Sequence, residues 1–78
     1  MEGRLQQVLG ENLRRHREGL GLSQESFASD VLHMHRTYVG AVERGERNLT
    51  LRSVERLAAT LGLEPIELLS EEPVPVRS

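Results

Sequence analysis

Apolar positions along this 78-residue chain recur at helical spacing, and they sort into five short helices. Leu5, Val8, Leu9, Asn12, Leu13, His16 and Leu20 follow the i, i+3, i+4 stripe of an amphipathic helix that Gly19 and Gly21 end. Ser23 reads as the N-cap of a second helix over about Gln24–Val31, with Glu25 near its positive end and Phe27, Ala28 and Val31 facing inward. After the tight connection "LHMH", a third helix of about Arg36–Arg44 buries Val39 and Val42 and stops at Gly45. Thr50 caps a fourth, with Leu51, Val54, Leu57, Ala58 and Leu61 on one stripe and Gly62 as its end. Pro65 opens a fifth that carries Ile66 and Leu69. No β alternation, internal repeat or heptad is visible. The pattern predicts an all-α domain over residues 1–70. The tail 71–78, "EEPVPVRS", has two prolines spaced by valine and is expected to be extended or disordered.

The second and third helices narrow the fold. They lie a few residues apart, and the third exposes His35, Arg36, Thr37, Gly40, Ala41 and Arg44 on this reading while burying Val39 and Val42. That is the layout of a helix-turn-helix, whose second helix enters the DNA major groove by its N-terminal part. Gly40 is costly inside a helix, at about 1 kcal/mol. The favoured reading is that Gly40 and Ala41 are small so that the helix can sit close to a groove wall. The alternative is that Gly40 permits close helix–helix packing.

Charge fits this picture once its distribution is read. The net charge is −2, but the last 17 residues hold four acids and one arginine, leaving eight acids and nine arginines in the first 61. All ten basic residues are arginine, which pairs bidentately with phosphates and guanine edges. There are no cysteines, so no disulfide or thiolate metal site is possible. No apolar run approaches membrane length and "MEGRLQQ" lacks a signal-peptide core, so a cytoplasmic protein is expected. The pair in "HMH", His33 and His35, makes a poor metal ligand set without cysteine or a carboxylate cluster. No nucleophile–base arrangement or glycine-rich phosphate loop is present. Neither an enzyme nor a cofactor is expected, and no small-molecule effector is evident.

The segments "LRRHREGLGLSQESFA" and "RTYVGAVERGERNLTLRSVERLAATLGLEPIELL" resemble the Cro/repressor (XRE) helix-turn-helix family over about Leu9–Leu69. Within it, "RTYVGAVERGERNLTL" is most similar to the controller proteins of restriction–modification systems, small dimeric autoregulators that bind palindromic operators. The resemblance implies a five-helix, lambda-repressor-like DNA-binding domain. By position it implies that Gln24 binds a phosphate and buttresses the recognition helix. Arg36 and Thr37 would reach base edges, Tyr38 the sugar–phosphate backbone, and Arg44, Arg47 and Asn48 phosphates. The chemistry agrees: arginine forks onto guanine, threonine can touch a thymine methyl, and arginine and asparagine donors suit phosphate oxygens. The resemblance also implies that Arg17 and Glu43 form a largely buried ion pair. One departure stands out. Between Gln24 and Arg36 the chain has one residue more than the family's usual turn, and no turn glycine. Either His33 takes the left-handed conformation or the second helix is longer by a residue. His35 replaces the usual Ser, Thr or Asp cap of the third helix.

A single recognition helix reads too few base pairs to define a site, so a two-fold dimer on double-stranded DNA is expected, without a membrane partner. Leu51, Leu63, Ile66 and Leu69 are the candidates for its interface, with completion of the monomer core as their alternative role. Two other functions stay open at this point: an antitoxin-type or other stand-alone XRE repressor, and a helix-turn-helix used only for protein–protein contact.

Overall fold

A computed structural model describes residues 3–71. The expected tail lies outside the described residues except for Glu71. Five helices follow one another, with no strand among the described residues. They are α1 (Arg4–Gly19), α2 (Gln24–Ser26, continuing as a π-helix over Phe27–Leu32), α3 (Arg36–Glu43), α4 (Leu51–Leu61) and α5 (Pro65–Leu69). α1 packs on α3 and α5, α4 packs on α5, and the π-helical part of α2 lies against α3 and α4.

Local chemistry sets the boundaries. The side chains of Ser23 and Thr50 accept from the N–H groups of Ser26 and Ser53, capping α2 and α4. Pro65 starts α5 inside a capping box formed by Glu64 and Glu67. Left-handed glycines follow α1, α3 and α4, at Gly21, Gly45 and Gly62. Gly19 is therefore the last residue of α1 rather than its stop signal.

Each helix contributes to one core: Leu9 and Leu13, Phe27, Ala28 and Leu32, Val39 and Val42, Val54, Leu57 and Ala58, and Leu68. Two expectations are corrected by it, and one core residue is added. Leu5 and Leu20, at the two ends of the α1 stripe, are exposed. Val31 is only half-buried and Leu32 takes its place in the core. In α5 the deeply buried side chain is Leu68, a residue not singled out above, while Ile66, a candidate for the interface, is exposed.

The π-helical turn accounts for the second correction and for the extra residue. A π-helix closes i to i+5, so each turn holds one residue more than an α-turn. The N–H of His33 bonds the Ala28 carbonyl at that spacing, and Met34 N–H reaches the same carbonyl at 2.9 Å. His33 then turns the chain with φ 54° and ψ 47°, in the left-handed region. Both devices operate together: the helix absorbs the added residue by widening, and His33 makes the turn that glycine would otherwise supply.

Candidate nucleic-acid interface

The C-terminal end of α3 is fastened from three sides. Arg17 on α1 donates from Nε to Glu43 Oε2 at 2.8 Å and from Nη2 to Oε1 at 3.1 Å, and its Nη1 donates to the Leu22 carbonyl at 2.9 Å. The two side chains are 13% and 3% exposed. The hydrogen bond to Glu43 raises the Arg17 pKa against the opposing effect of burial. Gln24, first residue of α2, donates from Nε2 to Glu43 Oε1 at 3.0 Å. On the third side α1 comes so close that a Cβ at Gly10 would stand 2.4 Å from the Val42 carbonyl oxygen and 2.6 Å from that of Glu43.

Gly40 belongs to this fastened end. It is buried, which corrects its expected exposure to a groove. A Cβ there would lie 3.3 Å from Gln24 Oε1 and 3.1 Å from Arg44 Nη1. The missing side chain leaves Gln24 a path across α3 to Glu43, three positions further on. In the free protein the space beside this glycine is taken up by the Gln24 and Arg44 side chains.

The N-terminal end of α3 is open. His35 precedes it in extended conformation (φ −70°, ψ 137°), and its ring caps nothing. His35, Arg36 and Thr37 are exposed. Arg36 Nη1 lies 3.6 Å from Glu25 Oε2, both side chains in solvent. Tyr38 is half-buried, and the Arg47 guanidinium sits 5.0 Å from its ring centroid. Ala41 is half-buried, while Arg44 is exposed beside Glu46 at 3.1 Å. Arg47 and Asn48 are exposed on the turn after α3, which Gln6 Nε2 secures by donating to the Arg47 carbonyl at 3.0 Å.

The helix-turn-helix family model matches residues 13–68. The chain belongs to the helix-turn-helix family. Among its relatives, Control protein C.SmaI of Serratia marcescens is 41% identical over 68 residues, 87% of this chain and 80% of that protein. The solved restriction-modification controller protein C.AhdI from Aeromonas hydrophila is 44% identical with a TM-score of 0.68, covering 81% of this chain and 94% of that one. A hypothetical transcription factor, NHTF from Neisseria, is 41% identical with a TM-score of 0.75 over 90% of this chain and 79% of its own. By its family this chain is an XRE-type DNA-binding transcription regulator and not an enzyme.

Two polar neighbourhoods flank the regulator's α3 that the sequence did not single out. Ser53 and Arg56 on α4 line an open cleft with Met34, His35 and Tyr38. Arg14 on α1 borders another with Arg17, Gln24, Glu43 and Arg44. Helical spacing alone puts Ser53 and Arg56 on one side of α4, but nothing in the sequence says that this side abuts the start of α3.

Apolar surface collects elsewhere. Leu51, Ile66 and Leu5 are 79%, 65% and 61% exposed. Leu63 and Leu69 are half-buried and pack against the core, so they serve the monomer first. A shallow groove of about 190 Å³ is lined by Leu5, Leu9, Leu49, Leu51, Val54 and Leu69 together with Gln6 and Asn48. Among the described residues no helix is long and apolar enough to cross a membrane.

Proposed function

We propose that this regulator acts in the cytoplasm as a homodimer on an inverted-repeat operator, and that it controls a restriction–modification system, its own gene included. One observation carries the reading: α3 is anchored by its buried C-terminal end while its first turn, with Arg36 and Thr37, stands free in solvent. A helix held this way can enter a major groove and bring those two side chains to base edges. Tyr38, Arg44, Arg47 and Asn48 would follow the sugar–phosphate backbone, and the second Nε2 hydrogen of Gln24 would serve a phosphate. His35 and Ala41 would border the groove without reading a base. The relatives named as control proteins support the restriction–modification assignment.

The dimer would cover the exposed leucines and isoleucine. Leu51 and Ile66 are its most exposed candidates, with Leu63 and Leu69 beneath, and Leu5 joins them. Two recognition helices would then meet half-sites about 34–36 Å apart.

The test is a binding series on a duplex selected from a random pool by the parent protein and on a scrambled duplex, at several salt concentrations. Arg36→Ala is expected to cost ~1–3 kcal/mol per half-site on the selected duplex and to relax preference at one position. Arg47→Ala is expected to weaken both duplexes alike and to make the salt dependence shallower by about one unit per half-site. If Arg36→Ala loses equal affinity on both, Arg36 only clamps a phosphate. A monomer by sedimentation at tens of micromolar, with or without DNA, would exclude the dimer.

A further inference from the structure

Within α2 the Glu25 carboxylate adds only a weak stabilising charge, in the first turn at the positive end of the helix dipole. The cap of α2 is already made by Ser23, whose hydroxyl accepts from Ser26 N–H at 3.1 Å. Glu25 is 78% exposed, and its Oε2 lies 3.6 Å from Arg36 Nη1. It stands on the first helix of the motif, against the arginine that opens the second. We propose that Glu25 is a specificity-determining positioning residue: its carboxylate holds the Arg36 guanidinium toward the base edges and away from phosphates. This rests on the reading of Arg36 as a base reader.

Guanidinium geometry makes the two roles compatible. Arginine carries five N–H donors in a rigid fork. A carboxylate on Nη1 leaves the edge formed by Nε and Nη2 free, and two parallel donors are what guanine O6 and N7 accept. Arg36 can therefore read guanine while still paired with Glu25. A phosphate can take the same two donors, but only by bringing its own negative charge close to the Glu25 carboxylate. To neutralise one, the guanidinium must swing off Glu25 or carry the carboxylate with it toward a like charge. Binding to arbitrary DNA depends almost wholly on such phosphate contacts and the counterions they release. The pair therefore disfavours the wrong DNA without disfavouring the right one.

The experiment measures Glu25→Gln, Arg36→Ala and the double variant on the selected and scrambled duplexes at one fixed salt concentration. A cooperative melt of Glu25→Gln within a few degrees of the parent, the change expected from one weakly stabilising first-turn charge, shows that the fold is intact. Glu25→Gln is expected to tighten binding to scrambled DNA by about two- to five-fold per half-site, the strength of an exposed ion pair. Binding to the selected duplex stays level or weakens. In the Arg36→Ala background the substitution is expected to leave the ratio of selected to scrambled affinity unchanged. An unchanged ratio of selected to scrambled affinity in Glu25→Gln, beside a selective loss in Arg36→Ala, overturns the inference alone. An equal fall in that ratio with Arg36 removed also overturns it, because Glu25 would then read a base itself. If Arg36→Ala leaves the ratio unchanged, the base-reading role of Arg36 fails and the inference fails with it.

Discussion

At its C-terminal end α3 turns Glu43 toward Arg17 and Gln24 and lays its backbone against Gly10, with the Glu43 side chain 3% exposed. At its N-terminal end, in the same eight-residue helix, Arg36 is 64% exposed and the cap residue His35 makes no side-chain bond to the helix. The first end uses charge where water screens it little, so the geometry is stiff and each partner depends on the others. The second end uses charge where water screens it, so side chains can exchange a weak intramolecular partner for an external one. A recognition helix needs both. The buried end fixes the angle at which the helix leaves the core, and the open end keeps the reading groups available.

The largest effect is expected at the buried end. Glu43→Ala strands the Arg17 guanidinium and the Gln24 amide, and loss of one member of a buried pair costs about 3–5 kcal/mol. Arg17 keeps some solvent access, which favours the lower part of that range. In a domain of this size ~3 kcal/mol corresponds to a fall of more than about 12 °C in melting temperature. A thermal melt within two degrees of the parent would mean that the three-way contact contributes nothing to the fold.

Gly10→Ala should come next. The added methyl meets two backbone carbonyls, which cannot rotate away as a side chain would. Overpacking of this kind costs about 1–3 kcal/mol, partly offset by ~0.5–1 kcal/mol from the better helix propensity of alanine. Net destabilisation in urea is expected. A variant as stable as the parent would show that α1 can slide along α3, and that the anchored end is held by side chains alone.

These two sites also show what could be read from sequence. The helices, their caps and most of the core were legible, because an i, i+3, i+4 stripe and the residues that stop it are local signals. The pairing of Arg17 with Glu43 came from likeness to a family, and periodicity alone does not bring those residues together. Gly10 carried no local signal at all: a glycine within a helical stripe reads the same whether it faces water or a carbonyl 2.4 Å from its missing Cβ. Gly40 was placed on the wrong side for the same reason, since its burial depends on where the Gln24 side chain crosses. Leu68 was missed because α5 has only five residues, too short for its stripe to declare a face. The widened turn of α2 was foreseen only as one of two options, His33 or a longer helix, and the structure uses a form of both.

The smallest effect on stability is expected from Arg36→Ala, although it is expected to have a large effect on binding. Two weak contributions oppose each other at this position. The pair with Glu25 lies in solvent at 3.6 Å, and such pairs contribute about 0–1 kcal/mol. Against it, a positive charge in the first turn of a helix faces the positive end of the helix dipole, unfavourable by ~0.3–1 kcal/mol. Alanine removes both and leaves Glu25 free to hydrate. The melting curve of Arg36→Ala should therefore overlay that of the parent to within about 0.5 kcal/mol, as for surface substitutions in general. Urea unfolding of the two proteins without DNA tests this directly. A loss of more than ~1 kcal/mol would mean that the open end also supports the fold. The division of α3 into an anchor and a reader would then have to be abandoned, and any loss of DNA affinity in this variant would need correction for the protein unfolded.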